Sequence, residues 1–346
     1  MSAAHTTTHL RRWVRSLPPI EWVIYQVRSI LISTLALGPV PAHIAFVMDG
    51  NRRYARQRAL ETVEGHNLGF EALARVLEIC YKSGVKVVTI YAFSIENFKR
   101  GRAEVDGLMD MAKTKLVQMA EHGALLDRYG ARINICGDLS LVRSDVLEQI
   151  ERAVNMTKHN NKKTLNVCFP YTSREEISHS IRETVKQWTI PVPKTVDKRD
   201  ALREALIERR IREQHNPLLA ETVEESSDSD ASCGAENEDS IVQSSATSRT
   251  SAPSPTPLED GGNGERKLCL PDPEKISSSD LDRNVYTADA PPLDLLIRTS
   301  GVYRLSDFML WQCHEHTDIR FLDVLWPQFG LMALLPVLLE WQWKRR

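Results

Sequence analysis

Acidic and basic side chains follow directly after an apolar run in the stretch His43-Ile-Ala-Phe-Val-Met-Asp-Gly-Asn-Arg-Arg-Tyr54. Asp49 and Gly50 close the run, and Arg52 and Arg53 follow in a helix-compatible sequence. Backbone amides at the beginning of a helix and guanidinium groups both bind phosphate oxygens, and a glycine lets the ligand approach the backbone. A carboxylate supplies an oxygen ligand for the Mg²⁺ that accompanies phosphates. These residue types predict a diphosphate site with Asp49 as the metal ligand.

Other interpretations of Asp49 compete with this one. An aspartate in this position also suits a simple N-cap of the following helix, which needs no ligand. A P-loop is excluded because the chain has no G-x-x-x-x-G-K-[ST] motif. A phosphatase with an Asp-x-Asp pair would need an acid two residues earlier, where the chain has Val47.

Two further polar groups follow apolar runs. The first comprises Ser94, Glu96, Asn97 and Arg100, and the second comprises Arg298, Arg304 and Ser306. Because ligands bind at the carboxyl ends of parallel strands, we expect both groups at the same edge of a sheet as Asp49. Two guanidinium groups with a hydroxyl have the chemistry to hold a second diphosphate.

Six apolar runs predict the strands that would position these groups. They are His43–Met48, Val85–Phe93, Ala131–Gly137, Thr164–Tyr171, Leu293–Thr299 and Ile319–Trp326. Most are continuously apolar, as in a parallel sheet that is covered on both faces. Helical patterns between them are predicted at His66–Ser83, Glu104–Tyr129, Val142–Asn160 and Arg174–Trp188. This alternation predicts an α/β domain.

Charge is distributed unevenly along the 346 residues. The segment from Glu221 to Gly264 carries ten acidic residues and one arginine, so within a net charge of −2 the remainder carries +7. A basic remainder suits anionic ligands or an anionic lipid surface, while the overall charge does not indicate nucleic-acid binding. The Ser- and Pro-rich composition of 221–279 predicts a disordered insertion within a single domain of 40–220 and 280–346.

Residues 1–39 are predicted to form an amphipathic, membrane-associating region. The most apolar stretch, Trp22–Leu37, is interrupted by Gln26, Arg28 and Ser29 and is too short and too polar to span a bilayer. Apolar residues on one helical face with nearby arginines favour an interfacial helix. Docking of the same helix on its own domain is the alternative.

Taken together, five segments resemble the cis-prenyltransferases, the undecaprenyl diphosphate synthase family, and within it the eukaryotic dehydrodolichyl diphosphate synthases. They are HIAFVMDGNRRYA (43–55), EGH (64–66), YAFSIENFKR (91–100), LLIRTSGVYRLSDFMLWQ (295–312) and DVLWP (323–327). The resemblance implies an α/β fold with a central, mostly parallel six-stranded sheet flanked by helices. It also implies a hydrophobic tunnel between two long helices, here His66–Ser83 and Glu104–Tyr129.

The resemblance implies a role for each matching residue. Asp49 would bind Mg²⁺ and act in catalysis together with Asn97, which matches the position associated with removal of a proton. The allylic diphosphate would be held by Gly50, Asn51, Arg52, Arg53, Tyr54 and His66. Further substrate contacts would come from Ser94, Glu96, Phe98 and Arg100. Arg298, Arg304 and Ser306 would hold the diphosphate of isopentenyl diphosphate. Asp318 lies near a second acidic metal-associated position of the family, one residue out of register.

The implied function is condensation of isopentenyl diphosphate onto farnesyl diphosphate to give dehydrodolichyl diphosphate for dolichol synthesis and protein glycosylation. Single-subunit members end in an arginine-x-glycine motif, whereas the chain shows no glycine after Gly330. We therefore expect a heterodimer with an accessory subunit of the Nogo-B-receptor type, peripheral on the cytosolic face of the endoplasmic reticulum. The alternatives are a non-catalytic accessory or scaffold subunit, and a diphosphate hydrolase on the same fold.

Overall fold

The computed structural model describes residues 18–121, 123–193, 206–207, 210–211 and 268–345. They divide into two units, one of 18–187 with 274–345 and one within 188–273. The predicted strands and all predicted site residues belong to the first unit.

The first unit is built on six parallel strands: β1 (His43–Val47), β2 (Val87–Tyr91), β3 (Ala131–Cys136), β4 (Lys163–Cys168), β7 (Leu295–Arg298) and β8 (Asp318–Phe321). Their order in the sheet is β3–β4–β2–β1–β7–β8. Every residue of β1 and β7 is buried, which explains why these strands are apolar apart from His43 and Arg298 at their ends. The prediction of a central six-stranded parallel sheet is confirmed. In the second unit the short strands β5 (Val192–Pro193) and β6 (Leu268–Cys269) pair antiparallel.

Helices flank this sheet, and apolar clusters lie on both of its faces. In chain order they are α1 (Pro18–Leu35), α2 (Asn51–Gln57), α3 (Thr62–Ser83), α4 (Arg102–Ala120), α5 (Leu125–Tyr129), α6 (Ser144–Thr157), α7 (Ser173–Trp188), α8 (Ser278–Asp282) and α9 (Leu331–Lys344). The larger cluster joins the buried stripes of α3, α4, α6 and α9 to one sheet face.

One predicted helix, Glu104–Tyr129, is wrong as a continuous element. The structure ends α4 at Ala120 and begins α5 at Leu125. Gly123 between them has φ +75°, and its N–H donates to Asp127 Oδ2 at 2.9 Å. A glycine can adopt this left-handed conformation at little cost, and it interrupts the helical hydrogen-bonding pattern between Ala120 and Leu125.

Helix α1 packs on the domain through Ile32 and Leu35, which are buried, and the Leu35 carbonyl accepts a hydrogen bond from Gln342 at 2.7 Å. Its side chains Trp22 and Ile30 are each 63% exposed. The buried face of α1 is compatible with docking on its own domain, and its exposed apolar side chains are compatible with binding at a membrane interface. None of the helices in the described part of the chain combines the length and hydropathy needed to cross a membrane.

Most of the predicted acidic insertion, residues 221–267, lies outside the described residues. Its last part, 268–279, is described and contains β6 and a 3₁₀ turn at Pro273–Lys275. The domain boundaries and the disorder expected for 221–279 stay predictions.

Strand order determines which loops meet. β2, β1 and β7 are neighbours, so the loops that follow Tyr91, Val47 and Arg298 lie side by side at one edge of the sheet. These loops carry all three polar groups singled out in the sequence.

Candidate active site

The turn after β1 fixes Asp49. Its N–H donates to Thr299 Oγ1 at 3.2 Å, the Thr299 hydroxyl donates to the Asp49 carbonyl at 2.8 Å, and Trp326 N donates to that carbonyl at 3.1 Å. Gly50 follows with φ +108°, where a Cβ would lie 2.9 Å from Leu325 Cδ2. Only glycine fits this conformation and this space, and the peptide turns from the strand into α2.

Arg298, at the end of β7, contacts the Asp49 carboxylate. Its side chain is 3% exposed, and its Nη2 donates to Asp49 Oδ2 at 2.8 Å. Its Nη1 donates to Ser306 Oγ and to the Arg304 carbonyl, each at 2.6 Å. Burial alone raises the pKa of the Asp49 carboxyl, but the hydrogen bond and charge of Arg298, with Ser300 and Arg53, outweigh it. The net pKa lies below its ordinary value, so Asp49 stays ionised.

The arginines of α2 point in different directions. Arg53 donates through Nη1 to the Ser300 carbonyl at 2.9 Å and through Nη2 to Ser300 Oγ, and it lies 3.7 Å from Asp49 Oδ2. Arg52 instead approaches Glu104 of α4 at 3.9 Å. The same Glu104 oxygen accepts a hydrogen bond from Arg100 Nη1 at 2.9 Å. One carboxylate therefore holds two arginines.

Two polar atoms beside these arginines have no hydrogen-bond partner among the described residues. They are Asn51 Oδ1 and His66 Nε2, and both are buried. Burial, followed by the positive charges of Arg100 and Arg52, lowers the pKa of His66 to about 4. A neutral imidazole and an amide oxygen that lack partners are groups that a ligand can satisfy.

An open cleft of about 500 Å³ connects these groups. Its lining includes eleven of the predicted residues: Asp49, Asn51, Arg52, His66, Ser94, Glu96, Asn97, Arg100, Arg298, Arg304 and Ser306. The structure thus brings the three sequence groups together, as strand order predicts.

Four predicted residues do not line this cleft. Gly50 forms the turn between β1 and α2, and Arg53 donates hydrogen bonds to Ser300, as described above. Tyr54 lies under the Arg58 guanidinium, 5.4 Å from ring centroid to Cζ, and Phe98 packs edge-on against Phe93 with centroids 5.0 Å apart. Glu96 does line the cleft, but its carboxylate pairs with Lys99 and with Arg174 at 3.6 Å.

Several cleft residues were missed in the sequence. Met48, Tyr91, Leu108 and Asp307 line the cleft, and Glu104 anchors two of its arginines. The four-residue spacing of Arg100 and Glu104 was the available signal, because this spacing allows opposite charges to pair at the beginning of α4. Tyr91 is the last residue of its strand, where parallel sheets bind ligands.

Asp318 lies away from the cleft. It begins β8, pairs in register with Leu295 at the beginning of β7, and approaches Lys344 at 3.8 Å. Asp49 follows the end of its own strand, so the two carboxylates lie at opposite edges of the sheet. Within this chain, Asp318 therefore does not lie beside Asp49.

A second, apolar pocket of about 110 Å³ opens beside the cleft. The two share the lining residues Met48, Asn51, His66, Ala92 and Leu108. Side chains of α3 and α4 form its walls, among them Phe70, Leu73, Met111, Leu116 and Met119. A ligand with an anionic head and an apolar tail would find a matching surface for each part.

A divalent cation fits this donor set only together with phosphate. No cluster of three or more His, Cys, Asp and Glu side chains suited to a metal occurs among the described residues. Of the three carboxylates that line the cleft, Glu96 pairs with Lys99 and Arg174 and Asp307 pairs with Arg174, whereas Asp49 lies at the end of β1 beside Arg298. Mg²⁺ is commonly held by one or two carboxylates with substrate phosphates supplying further oxygens, so Asp49 suits Mg²⁺ bound with a diphosphate.

Comparison with known proteins agrees with this geometry. Residues 47–346 match the prenyltransferase family model described as undecaprenyl diphosphate synthase. A dehydrodolichyl diphosphate synthase complex subunit of Schizosaccharomyces pombe is 42% identical over 96% of this chain and 97% of its own length. The corresponding human complex subunit is 38% identical over 88% of this chain and 68% of its own length.

Among solved structures, lavandulyl diphosphate synthase from Lavandula x intermedia, crystallised with dimethylallyl diphosphate, has the same fold. Its TM-score is 0.57 at 21% identity, over 88% of this chain and 95% of its own. The family match and the close relatives are decisive: this chain belongs to the undecaprenyl diphosphate synthase family of cis-prenyltransferases.

Proposed function

We propose that this chain is a catalytic, Mg²⁺-dependent cis-prenyltransferase that adds isopentenyl diphosphate units to farnesyl diphosphate and makes dehydrodolichyl diphosphate. Dolichol synthesis and protein glycosylation would use this product. The family and the names of its relatives support the reaction class. The observation that carries the catalytic role is the 2.8 Å contact between Asp49 and the buried Arg298, across adjacent strand ends.

In the proposed reaction the C1–O bond of the allylic diphosphate breaks, and pyrophosphate leaves with the electron pair. The double bond of isopentenyl diphosphate forms a carbon–carbon bond to that C1. Loss of a proton from C2 of the isopentenyl unit then leaves the cis double bond. The enzyme must align two anions, stabilise charge on the leaving group, and direct the proton.

Two groups of side chains supply the alignment. Asn51 and His66 line both the apolar pocket and the cleft, and the charges of Arg52 and Arg100 act on His66 from the cleft side. We therefore assign the allylic diphosphate to these four residues, with its tail between α3 and α4. Arg298, Arg304 and Ser306 form a connected cluster on the other side, which we assign to isopentenyl diphosphate. The hydrophobic tunnel implied by the family resemblance would extend from this apolar pocket.

Asp49 would hold Mg²⁺ with the diphosphate oxygens. When bound, the metal neutralises charge that builds up on the leaving pyrophosphate. The low pKa of Asp49 supports this role, because the carboxylate is ionised before any cation arrives.

The proton lost from C2 of the isopentenyl unit needs an acceptor, and the side chains that line the cleft are poor bases. Asn97 lines the cleft, but an amide is a poor base, and we assign it to orienting the substrate. His66 is neutral, yet the burial and the arginine charges that lower its pKa also make it a weak base. The departing pyrophosphate is chemically the best acceptor.

Partner and location belong to the same proposal. The relatives are named as complex subunits, which supports an accessory subunit of the Nogo-B-receptor type in a heterodimer. The exposed Trp22, Val27 and Ile30 of α1 support peripheral binding at the cytosolic face of the endoplasmic reticulum.

The test measures labelled isopentenyl diphosphate entering an organic-extractable product, with and without a partner subunit. Asp49→Ala should abolish incorporation by the complex, with a loss of roughly 10²-fold or more, because the metal ligand and the partner of Arg298 disappear together. Asp110→Asn, an acid on α4 outside the cleft, is the matched control. Equal incorporation by Asp49→Ala and the parent chain would assign the chain a non-catalytic accessory role.

A further inference from the structure

The segment that carries Arg304 and Ser306, residues 304–310, is the arginine loop. Three of its residues adopt left-handed backbone conformations although none is glycine: Ser306 (φ 54°), Asp307 (φ 61°) and Met309 (φ 48°). Such conformations are unfavourable for L-residues and persist only where surrounding contacts enforce them. Something outside the loop must therefore hold it.

One support comes from the sheet. Arg298 donates to the Arg304 carbonyl and to Ser306 Oγ. The Tyr91 hydroxyl shares its proton between the Tyr171 carbonyl at 3.2 Å and the Ser306 carbonyl at 3.3 Å. These contacts bind the first half of the loop to the ends of β7 and β2. These contacts do not reach the second half of the loop, from Asp307 onward, which is held by other residues.

The anchor of this second half is the amino-terminal end of α7. Ser173 N donates to the Asp307 carbonyl at 2.8 Å, Arg174 N donates to Asp307 Oδ1 at 3.1 Å, and Arg174 Nε donates to Asp307 Oδ2 at 2.7 Å. Leu310 N in turn donates to Ser173 Oγ at 2.7 Å. The Asp307 side chain is only 14% exposed. Asp307 thus caps a helix that begins more than 130 residues earlier in the chain.

Arg174 continues the connection to the opposite side of the cleft. Its Nη2 lies 3.6 Å from Glu96 Oε1, on the 3₁₀ turn Ile95–Lys99 that follows β2. Asp307, Arg174 and Glu96 therefore form a bridge from the arginine loop to the loop of Ser94 and Asn97. Each end of this bridge is attached to a segment that lines the cleft.

We propose that Asp307 is a positioning residue: through α7 and the bridge to Glu96 it sets where Arg304 and Ser306 present their donors to a diphosphate. This inference rests on the proposed function, because it takes the ligand of the cleft to be a diphosphate. Exposed ion pairs such as Arg174–Glu96 contribute little to the free energy of folding. The role assigned to the bridge is therefore to set the relative positions of the two loops. The more buried Asp307 contacts carry most of the effect.

The test separates the anchor from the backbone strain. Asp307→Gly removes the carboxylate and relieves the left-handed conformation, whereas Asp307→Asn keeps an acceptor for Arg174 N and tolerates that conformation. Inorganic pyrophosphate is titrated calorimetrically into the full chain and into each variant, and the melting temperature of each is recorded. Glu183→Gln, an acid further along α7, is the matched control.

We expect Asp307→Gly to bind pyrophosphate at least tenfold more weakly, while Asp307→Asn and Glu183→Gln stay within threefold of the parent. Arg174→Gln, which keeps Asp307 in place, should lose threefold to tenfold and covers the case in which Asp307→Gly fails to fold. Parent-like affinity in both Asp307→Gly and Arg174→Gln, or no pyrophosphate binding by the parent chain, overturns the proposal. Absent prenyl transfer with Asp307-dependent pyrophosphate binding would remove the proposed function and leave the positioning role.

Discussion

Arg298 on one side of the cleft differs from Arg52 and Arg100 on the other in burial and in what holds it. The Arg298 side chain is 3% exposed, and its two terminal nitrogens meet Asp49, Ser306 and the Arg304 carbonyl. Arg52 and Arg100 are 56% and 24% exposed. Both depend on a single carboxylate, that of Glu104.

This difference has a chemical consequence. Arg298 is oriented before any ligand arrives, so little reorganisation is required when charge develops in its vicinity. Arg298 also pairs with a carboxylate, that of Asp49, but Ser306 and the Arg304 carbonyl fix its second terminal nitrogen. Arg52 and Arg100 pair with Glu104, and a diphosphate must compete with that carboxylate for them. The side of Arg298 is therefore preorganised for a ligand. On the side of Arg52 and Arg100, called here the exchanging side, a ligand must replace Glu104 as the partner of the arginines.

Replacing Arg298 should give the largest effect. In Arg298→Lys a single ammonium cannot serve Asp49, Ser306 and the Arg304 carbonyl together, because it lacks the planar fork of donors. We expect pyrophosphate affinity and prenyl transfer to fall by roughly 10²-fold. Calorimetry and the incorporation assay measure the two losses.

The matched control is Arg53→Lys, a nearby arginine that supports Ser300 from outside the cleft lining. It should lose much less than Arg298→Lys. Similar losses in both variants would contradict the idea that Arg298 is specially preorganised.

Glu104→Gln should produce a smaller effect of opposite sign. Glutamine keeps an oxygen that accepts from Arg100 but removes the negative charge that competes with the ligand. Taking about 1 kcal/mol for two unit charges near 4 Å in water, we expect roughly fivefold tighter pyrophosphate binding at low salt. The gain should shrink in high salt, since these charges are partly exposed.

Asp110→Asn controls for the change in net charge. Asp110 lies on the same helix, is 63% exposed, and pairs with Arg143 away from the cleft. Weaker binding by Glu104→Gln than by the Asp110 variant would show that Glu104 orients the arginines and does not compete with the ligand.

The preorganised side was the more predictable from sequence. Apolar runs end immediately before Asp49 and at Arg298, and parallel strands bring such ends to one edge of a sheet. The pairing of Asp49 with Arg298 then needs only that β1 and β7 be neighbours, which the structure shows. The family motifs named the same residues.

The exchanging side and the arginine loop were harder to predict, for a physical reason. Glu104, Arg174 and Asp307 belong to segments whose relative placement depends on tertiary packing, and no periodicity in the sequence encodes it. Ser306 and Asp307 adopt left-handed backbone conformations, but neither is a glycine, the residue type that would indicate such a conformation in the sequence. Tyr54 and Phe98 pack against Arg58 and Phe93, which the sequence does not indicate, because a motif identifies a residue and not the direction of its side chain.

The smallest expected effect concerns His66, beside the exchanging arginines. Its ordinary pKa of 6.5 is lowered to about 4 in the folded chain, by burial and then by Arg100 and Arg52. Above pH 6.5 the imidazole is neutral in both states and contributes no pH dependence. Between about pH 6.5 and 4 the unfolded chain binds a proton that the folded chain does not, so acidification favours unfolding.

The measurement compares the melting temperatures of the parent chain and His66→Gln at pH 7 and pH 5. The parent should lose more stability than the variant over this interval, and the difference isolates His66 because His43, with a pKa also lowered to about 4 by burial, is common to both. If both chains lost stability equally, His66 would carry no such linkage, and neither its burial nor the charges of Arg100 and Arg52 would lower its pKa in the folded chain. A neutral His66 beside Arg52 and Arg100 would then no longer distinguish this side of the cleft from the side of Arg298.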